Sequence, residues 1–370
     1  MPARSLIYYQ SHFLILNDLN AQFSDLGHMK MLYLAIISFT LAVCTPDPKR
    51  PLAPAFFWWE TSFNPSTSEC SLLDSLGCKT LYVKILDIGR NTASGEIEPF
   101  SRTEISDTTA LAGIKIIPTI FITNEVFQNI SPQKIDWLTE KIAANSGQTD
   151  MLFDCDWTPS TREAFFLFLK KMRARLPPAS KISATIRLHQ YKFPQKTGVP
   201  PVDRGMLMFY NTGDVDEEGL RNSIFHPDDA LKYLEGAPKH YPLPLDLGLP
   251  LFSWGLVFRE GELWKIVPGP LPLSSMRTSG KYVEDAGAGS FPATLWEVKE
   301  GTFLGGHYLR PGDHLRVSAI SPELLLIAAS HARKIDLAND ASLAFFHLGI
   351  ARSEHFSAQL LDSVCQTARK

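Results

Sequence analysis

The chain has 370 residues, of which 45% are hydrophobic and 20% are charged, and its formal net charge is −3. This length and apolar content suffice for one large α/β barrel or for two ordinary domains. Because there is no excess of basic residues, the composition excludes nucleic acid as an expected partner.

The first recognisable pattern lies at residues 29–44, MKMLYLAIISFTLAVC, which combine a short basic start with an apolar stretch. The stretch is shorter than the roughly 20 residues that span a bilayer, and it is typical of a secretory signal. Its end, Leu41-Ala42-Val43-Cys44, resembles a bacterial lipobox, although Val43 replaces the usual small residue. The resemblance implies cleavage before Cys44 and lipidation of this residue. The alternative is a buried N-terminal helix.

The segments around this signal complete the predicted domain organisation. Residues 1–28 carry no signal pattern of their own, so we interpret them as an over-extended start. The proline-rich residues 45–54 predict a tether that holds a folded domain, residues 55–370, away from a membrane. The expected location is therefore the bacterial cell envelope, with contact to the membrane through the lipid anchor only.

From residue 55 onward, β-rich runs alternate with helical segments, which is typical of parallel βα units. We predict strands at residues 55–63, 80–89, 114–124, 150–157, 181–191, 205–213, 244–258 and 342–348. A glycine-rich stretch from Arg259 to His314 is predicted as an irregular insertion before the last unit. Mostly apolar strands with polar C-terminal ends predict an α/β fold, a single (β/α)8 TIM barrel. A doubly wound open sheet is the alternative, but no glycine-rich phosphate loop follows the first strand.

Functional groups of such barrels lie at the C-terminal ends of the strands. We predict as catalytic residues Asp154, Asp156 and Glu60. We predict as substrate-binding residues Asn124, Arg187, His189, Gln190, Tyr210, Asn211 and Trp254. Further polar groups at strand ends are Asp87, Glu125, Ser253 and His347. Histidine and cysteine spacing indicates no metal site, and no cofactor is predicted.

The predicted strand at residues 150–157 carries a pair of acids that indicates chemistry. Asp154 and Asp156 are two residues apart, so on a strand both would face the barrel lumen. Two close carboxylates raise the apparent pKa of one of them, which could then donate a proton. The alternative is structural: Asp154 would form a buried ion pair with Arg187 of the next strand and fix the strand register.

The same two acids, with Met208-Phe209-Tyr210-Asn211, resemble motifs of the family-18 glycoside hydrolases, the chitinase group. Its fourth strand carries D-x-x-D-x-D-x-E and its sixth carries M-x-Y-D. The resemblance implies a barrel in which Asp156 and Tyr210 orient an acetamide of a carbohydrate ligand. Thr158 occupies the position of the family's acid, and a threonine cannot protonate a glycosidic oxygen. As a whole the chain resembles bacterial lipoproteins with a glycosidase-like barrel, which implies a fold and no particular reaction.

Three functions are left open by the sequence. The first is an envelope-tethered barrel that binds or hydrolyses a glycan, and the second is an inactive barrel that recognises a glycan or a protein. The third is an unrelated hydrolase that uses Glu60 or Glu125 with Asp156. Two free cysteines or one disulfide are equally expected for Cys70 and Cys78, and no oligomeric state is predicted.

Overall fold

A computed structural model describes residues 51–105, 109–145, 150–219, 221–285, 293–350 and 356–369. The predicted start segment and the predicted signal with Cys44 lie outside these residues. Cys70 and Cys78 both lie inside them and are free thiols.

Eight parallel strands of the described residues close into a barrel, which confirms the predicted fold. They are β1 (Ala53–Trp58), β2 (Thr80–Arg90), β3 (Lys115–Ile122), β4 (Met151–Asp154), β5 (Ile182–Arg187), β6 (Arg204–Met208), β7 (Leu245–Pro250) and β8 (Ser342–Phe346). Each pairs with the next, and β8 pairs with β1 through Phe345 and Phe56. The strands are nearly continuously apolar because helices cover their outer faces and an apolar cluster that includes Phe57 and Leu152 fills the lower interior.

Helices lie between most of the barrel strands. They are α1 (Thr67–Ser75), α2 (Pro132–Asn145), α3 (Arg162–Arg175), α4 (Leu188–Lys192), α5 (Pro194–Thr197), α6 (Pro227–Leu234), α7 (Leu273–Thr278), α8 (Pro322–Ala332) and α9 (Ala358–Thr367). A capping box starts α1, where Ser66 and Glu69 satisfy each other's backbone N–H groups. In α3, Phe165, Phe168 and Met172 recur at helical spacing, and this face is buried.

The predicted seventh strand, residues 244–258, is wrong as a single element. It contains β7 of the barrel and a separate strand, Ser253–Arg259, that belongs to another sheet. Both runs are apolar because both are buried, so periodicity alone cannot show the break between them. Trp254 therefore lies in the second sheet and does not end a barrel strand.

The stretch between β7 and β8 forms this second sheet, which has five antiparallel strands within the described residues. Their spatial order is Glu262–Pro268, Ser253–Arg259, His314–Ala319, Thr294–Val298 and Tyr282–Asp285. Trp296 and Leu315 are fully buried in an apolar cluster of its own. A hairpin of Thr302–Leu304 and His307–Leu309 precedes the strand His314–Ala319 along the chain. The described part of the region predicted as irregular, residues 259–285 and 293–314, is thus largely a β insertion.

Two further strand pairings and three 3-10 helices, Thr109–Leu111, Asn124–Phe127 and Leu348–Ile350, complete the elements of the described residues. The strand Ile97–Arg102 runs antiparallel to the upper half of β2, and Ser62–Phe63 pairs with Glu104–Ile105. The predicted first strand, residues 55–63, is therefore two strands, because the chain leaves the barrel after Trp58.

Candidate functional site

Polar side chains enter the upper interior of the barrel from neighbouring strands. Asp87 of β2 is in register with Phe121 of β3, and Phe121 is in register with Asp154 of β4. In-register partners of parallel strands share a face, so these three side chains lie at one level of the interior. The two carboxyl groups are close enough for Asp87 to raise the pKa of Asp154.

Asp154 is the most strongly perturbed acid of this group. Burial, followed by the charge of Asp156, raises its pKa to about 7. The hydroxyl of Thr185 on β5 donates a hydrogen bond of 2.6 Å to its Oδ1. A carboxyl with this pKa retains its proton on a large fraction of molecules at neutral pH.

Asp156 has a different environment, because the predicted strand of residues 150–157 is too long. Strand β4 ends at Asp154, so the alternation of a strand does not extend to Asp156, whose side chain is 48% exposed. It forms an ion pair of 3.0 Å with Nη1 of Arg187. The predicted structural pair between Asp154 and Arg187 is therefore wrong: Asp154 bonds Thr185, and Arg187 bonds Asp156.

Thr158 occupies a helix start. Its backbone N–H donates 2.9 Å to Oγ1 of Thr161, and its carbonyl accepts 2.9 Å from the N–H of Arg162, the first residue of α3. Its hydroxyl lies 2.9 Å from that of Ser160. Thr158 therefore forms part of the turn that starts α3, and it has no carboxyl group.

Aromatic rings surround the polar groups at the C-terminal end of the barrel. The ring centroid of Phe346 lies 5.2 Å from Trp59, 5.9 Å from Tyr210 and 5.7 Å from Phe252. Trp59 is partly exposed, whereas Tyr210 is 7% exposed. Burial, followed by the charges of Asp154 and Asp156, raises the pKa of Tyr210 far above its ordinary value. The structure thus brings Asp154, Asp156 and Tyr210 into one electrostatic group.

Gln190 does not present its amide to a ligand. It is fully buried, its Oε1 accepts 2.8 Å from the N–H of Arg187, and its Nε2 donates 3.1 Å to the carbonyl of Trp157. The predicted fifth strand is also too long, because α4 begins at Leu188 and carries both Gln190 and His189. His189 is exposed on this helix.

Of the remaining predicted residues, Asn124 and Trp254 form side-chain hydrogen bonds within the protein. Oδ1 of Asn124 accepts 2.5 Å from the hydroxyl of Thr161, and Nε1 of Trp254 donates 3.0 Å to Oγ of Ser223. Asn211 is exposed and has a left-handed backbone with φ 55°. Glu60 is exposed after β1. Their substrate-binding and catalytic roles stay predictions.

Lys84 is the residue of the interior that the sequence did not indicate. Its Nζ lies 2.7 Å from Oδ2 of Asp87, with both side chains nearly buried, and 5.3 Å from the ring centroid of Trp59. A bulge in β2 between Lys84 and Leu86 lets residues three apart share a face. The sequence feature that could have indicated this residue is a lysine inside an otherwise apolar strand.

Asp154 is expected to make the protein less stable at about pH 8 than at about pH 5. Its pKa is about 7 in the folded chain and roughly 3.9 when unfolded. At pH values between these two pKa values, the folded state binds more protons than the unfolded state. The free energy of unfolding therefore falls as pH rises. Urea unfolding at both pH values should show that Asp154→Asn removes this pH dependence of the free energy of unfolding.

The matched variant for this measurement is Asp156→Asn. It removes one neighbouring negative charge, so the fall in stability should remain and move to lower pH. An unchanged pH dependence in Asp154→Asn would contradict the raised pKa.

Solved structures with this fold match the chain at low identity. The C-terminal domain of a protein described as a chitinase from Desulfitobacterium hafniense DCB-2 aligns over 87% of this chain and 100% of its own, with 12% identity and a TM-score of 0.54. The Bacillus cereus spore cortex-lytic enzyme SleL aligns over 86% and 75%, with 18% identity and a TM-score of 0.48. A chitinase from Bacteroides thetaiotaomicron aligns over 86% and 97%, with 12% identity and a TM-score of 0.48. No protein-family model and no curated protein sequence matches the chain.

These likenesses concern the fold. The chain is a TIM barrel, and it shares this fold with the solved chitinase domain. A shared fold does not determine function, so what the chain binds and whether it catalyses a reaction depend on its own residues.

Proposed function

We propose that the mouth of the barrel binds a glycan. The observation that carries this proposal is the ring cluster of Trp59, Tyr210 and Phe346 beside the exposed ion pair of Asp156 and Arg187. Aromatic faces pack against the apolar faces of sugars, and charged groups at the rim bond their hydroxyls. The chitinase description of the structure with the same fold supports this ligand class.

Binding without efficient hydrolysis is the activity that the geometry supports best. Glycoside cleavage needs an acid beside the scissile bond, and Thr158 offers only a hydroxyl that is engaged at the start of α3. Asp156, the most exposed acid of the group, is held by Arg187. In this function Asp156 and Tyr210 orient an acetamide or hydroxyl of the ligand.

Hydrolysis is the second candidate, and one observation favours it. A carboxyl with a pKa of about 7 is suited to general acid catalysis near neutral pH, and Asp154 has this value. In that mechanism Asp154 would donate the proton, with Asp156 as the second carboxylate.

Wild-type protein is expected to bind chito-oligosaccharides in calorimetric titration and to release few new reducing ends from them. Asp156→Ala should weaken binding because an exposed partner for hydroxyl and amide groups is removed. Asp362→Ala, an exposed acid of α9, is the control and should bind normally. Absence of binding to chito-oligosaccharides would reject the proposal, and turnover that Asp154→Asn abolishes would favour the second candidate.

We also propose that the chain is a lipid-anchored protein of the bacterial envelope. The signal pattern at residues 29–44 supports this, together with the proline-rich tether predicted at residues 45–54, although Ala53 and Pro54 belong to β1 of the barrel. Among the described residues, no helix is long and apolar enough to cross a bilayer. Mass spectrometry of the mature N-terminus tests the proposal, which an unmodified Cys44 within an uncleaved chain would contradict.

A further inference from the structure

The charged side chains of the barrel mouth include more acids than bases. Three carboxyl groups, those of Asp87, Asp154 and Asp156, lie close enough together for the first and third to raise the pKa of the second. Two bases, Lys84 and Arg187, accompany them. When all five groups are ionised, one negative charge is in excess.

Both bases are already paired. Nζ of Lys84 lies 2.7 Å from Oδ2 of Asp87, and Nη1 of Arg187 lies 3.0 Å from Oδ2 of Asp156. The nearby His189 adds no cation near neutral pH, because burial and the charge of Arg187 lower its pKa. Within the part of the chain that the structure describes, the third acid, at position 154, therefore has no basic partner.

Two carboxyl oxygens at one level of the interior lack hydrogen-bond donors. Oδ1 of Asp154 accepts 2.6 Å from the hydroxyl of Thr185, whereas its Oδ2 has no donor among the described residues. Oδ1 of Asp87, whose side chain is 7% exposed, has none there either. Polar groups inside proteins normally have a partner. Because Asp154 is partly exposed, a ligand in the mouth can supply a donor to it.

The aromatic rings of the mouth favour a donor that carries a positive charge. Nζ of Lys84 lies 5.3 Å from the ring centroid of Trp59, so this ring already interacts with one ammonium group. The faces of aromatic rings carry negative potential and attract cations. The described residues contain no group of three side chains that could hold a metal ion, which favours an organic cation over a metal.

We propose that the ligand of the barrel mouth carries a primary ammonium group, which binds Oδ2 of Asp154 and balances the charge of the mouth. The inference rests on the proposed function and narrows its ligand class to a glycan that contains an amino sugar without an N-acetyl group. An ammonium group donates three hydrogen bonds and supplies the missing positive charge. An acetamide has a single N–H donor and no charge.

The test is calorimetric titration of the whole protein with two tetrasaccharides, N-acetylchitotetraose and the corresponding glucosamine tetramer. At about pH 7 the carboxylate form of Asp154 is available, since its pKa is about 7. The wild type is expected to bind the glucosamine tetramer about tenfold more tightly, the size of effect of one hydrogen bond to a charged group. Asp154→Asn keeps the side-chain shape and removes the charge, so it should bind both tetrasaccharides with similar affinity.

A second variant and a control accompany this measurement. Asp156→Asn, at an exposed position, leaves the guanidinium group of Arg187 without its carboxylate, so the preference for the glucosamine tetramer should fall in this variant as well. The whole protein has a net charge of −3, which attracts any cationic sugar weakly. Asp362→Asn removes one exposed negative charge on α9, away from the barrel strands, and should keep the full preference.

The outcomes separate this inference from the proposed function. If the wild type binds both tetrasaccharides equally, or the acetylated one more tightly, the ammonium group is rejected and the glycan-binding mouth stands. The same holds if the preference survives in Asp154→Asn, or if Asp362→Asn loses it to the same extent. If the wild type binds neither tetrasaccharide, both proposals are overturned.

Discussion

Replacing Trp59 with alanine is expected to weaken chitohexaose binding about 10- to 100-fold, the size of effect that a central aromatic anchor produces. Trp59 contacts Phe346 and Phe121 on the barrel side and is partly exposed toward the mouth. Loss of this ring removes the main apolar surface against which a sugar can pack. Calorimetric titration measures the effect, and the unfolding temperature shows whether the barrel is intact.

Trp137 provides a matched control. It is 38% exposed on α2, and Nζ of Lys134 lies 4.5 Å from its ring centroid, as Lys84 lies 5.3 Å from that of Trp59. Trp137→Ala should bind chitohexaose like the wild type. Equal losses in both variants, or no loss in Trp59→Ala, would place the ligand elsewhere.

The Lys84→Met variant is expected to lower the free energy of unfolding by about 3–5 kcal/mol, because it leaves the buried carboxylate of Asp87 without a cation. Asp87 Oδ1 already has no hydrogen-bond partner among the described residues. Lys84 lies 2.7 Å from the other oxygen. Urea unfolding at neutral pH measures the change.

The double variant Lys84→Met with Asp87→Leu distinguishes an ion-pair effect from poor packing. It removes both charges, so most of the lost stability should return. A Lys84→Met variant within about 1 kcal/mol of the wild type would show that Asp87 is not held as a charged group.

The barrel could be predicted because its evidence is repeated along the chain. Apolar runs such as TLYVKILDIG and IKIIPTIFITN alternate with helical segments, and each occurrence supports the same parallel architecture. Burial on both faces of the strands produces this signal independently of where each strand ends.

The site was harder to predict because it lies where strands end. The pattern of Asp154 and Asp156 is the same whether β4 continues or stops, yet the stop decides which acid is the less exposed and which one meets Arg187. Likewise His189 and Gln190 continue an apparent strand but belong to α4. The strand bulge at Lys84 is set by tertiary pairing, so no period in the sequence indicates it.

Arg316 of the inserted sheet has a consequence for how this protein can vary. Its buried guanidinium group donates to the carbonyl oxygens of Asp214, Val215 and Glu217, which every amino acid possesses. The path of the chain after β6 is therefore independent of the side chains that it carries. Substitutions at these positions can alter the surface of this segment while its backbone path is set by the inserted sheet.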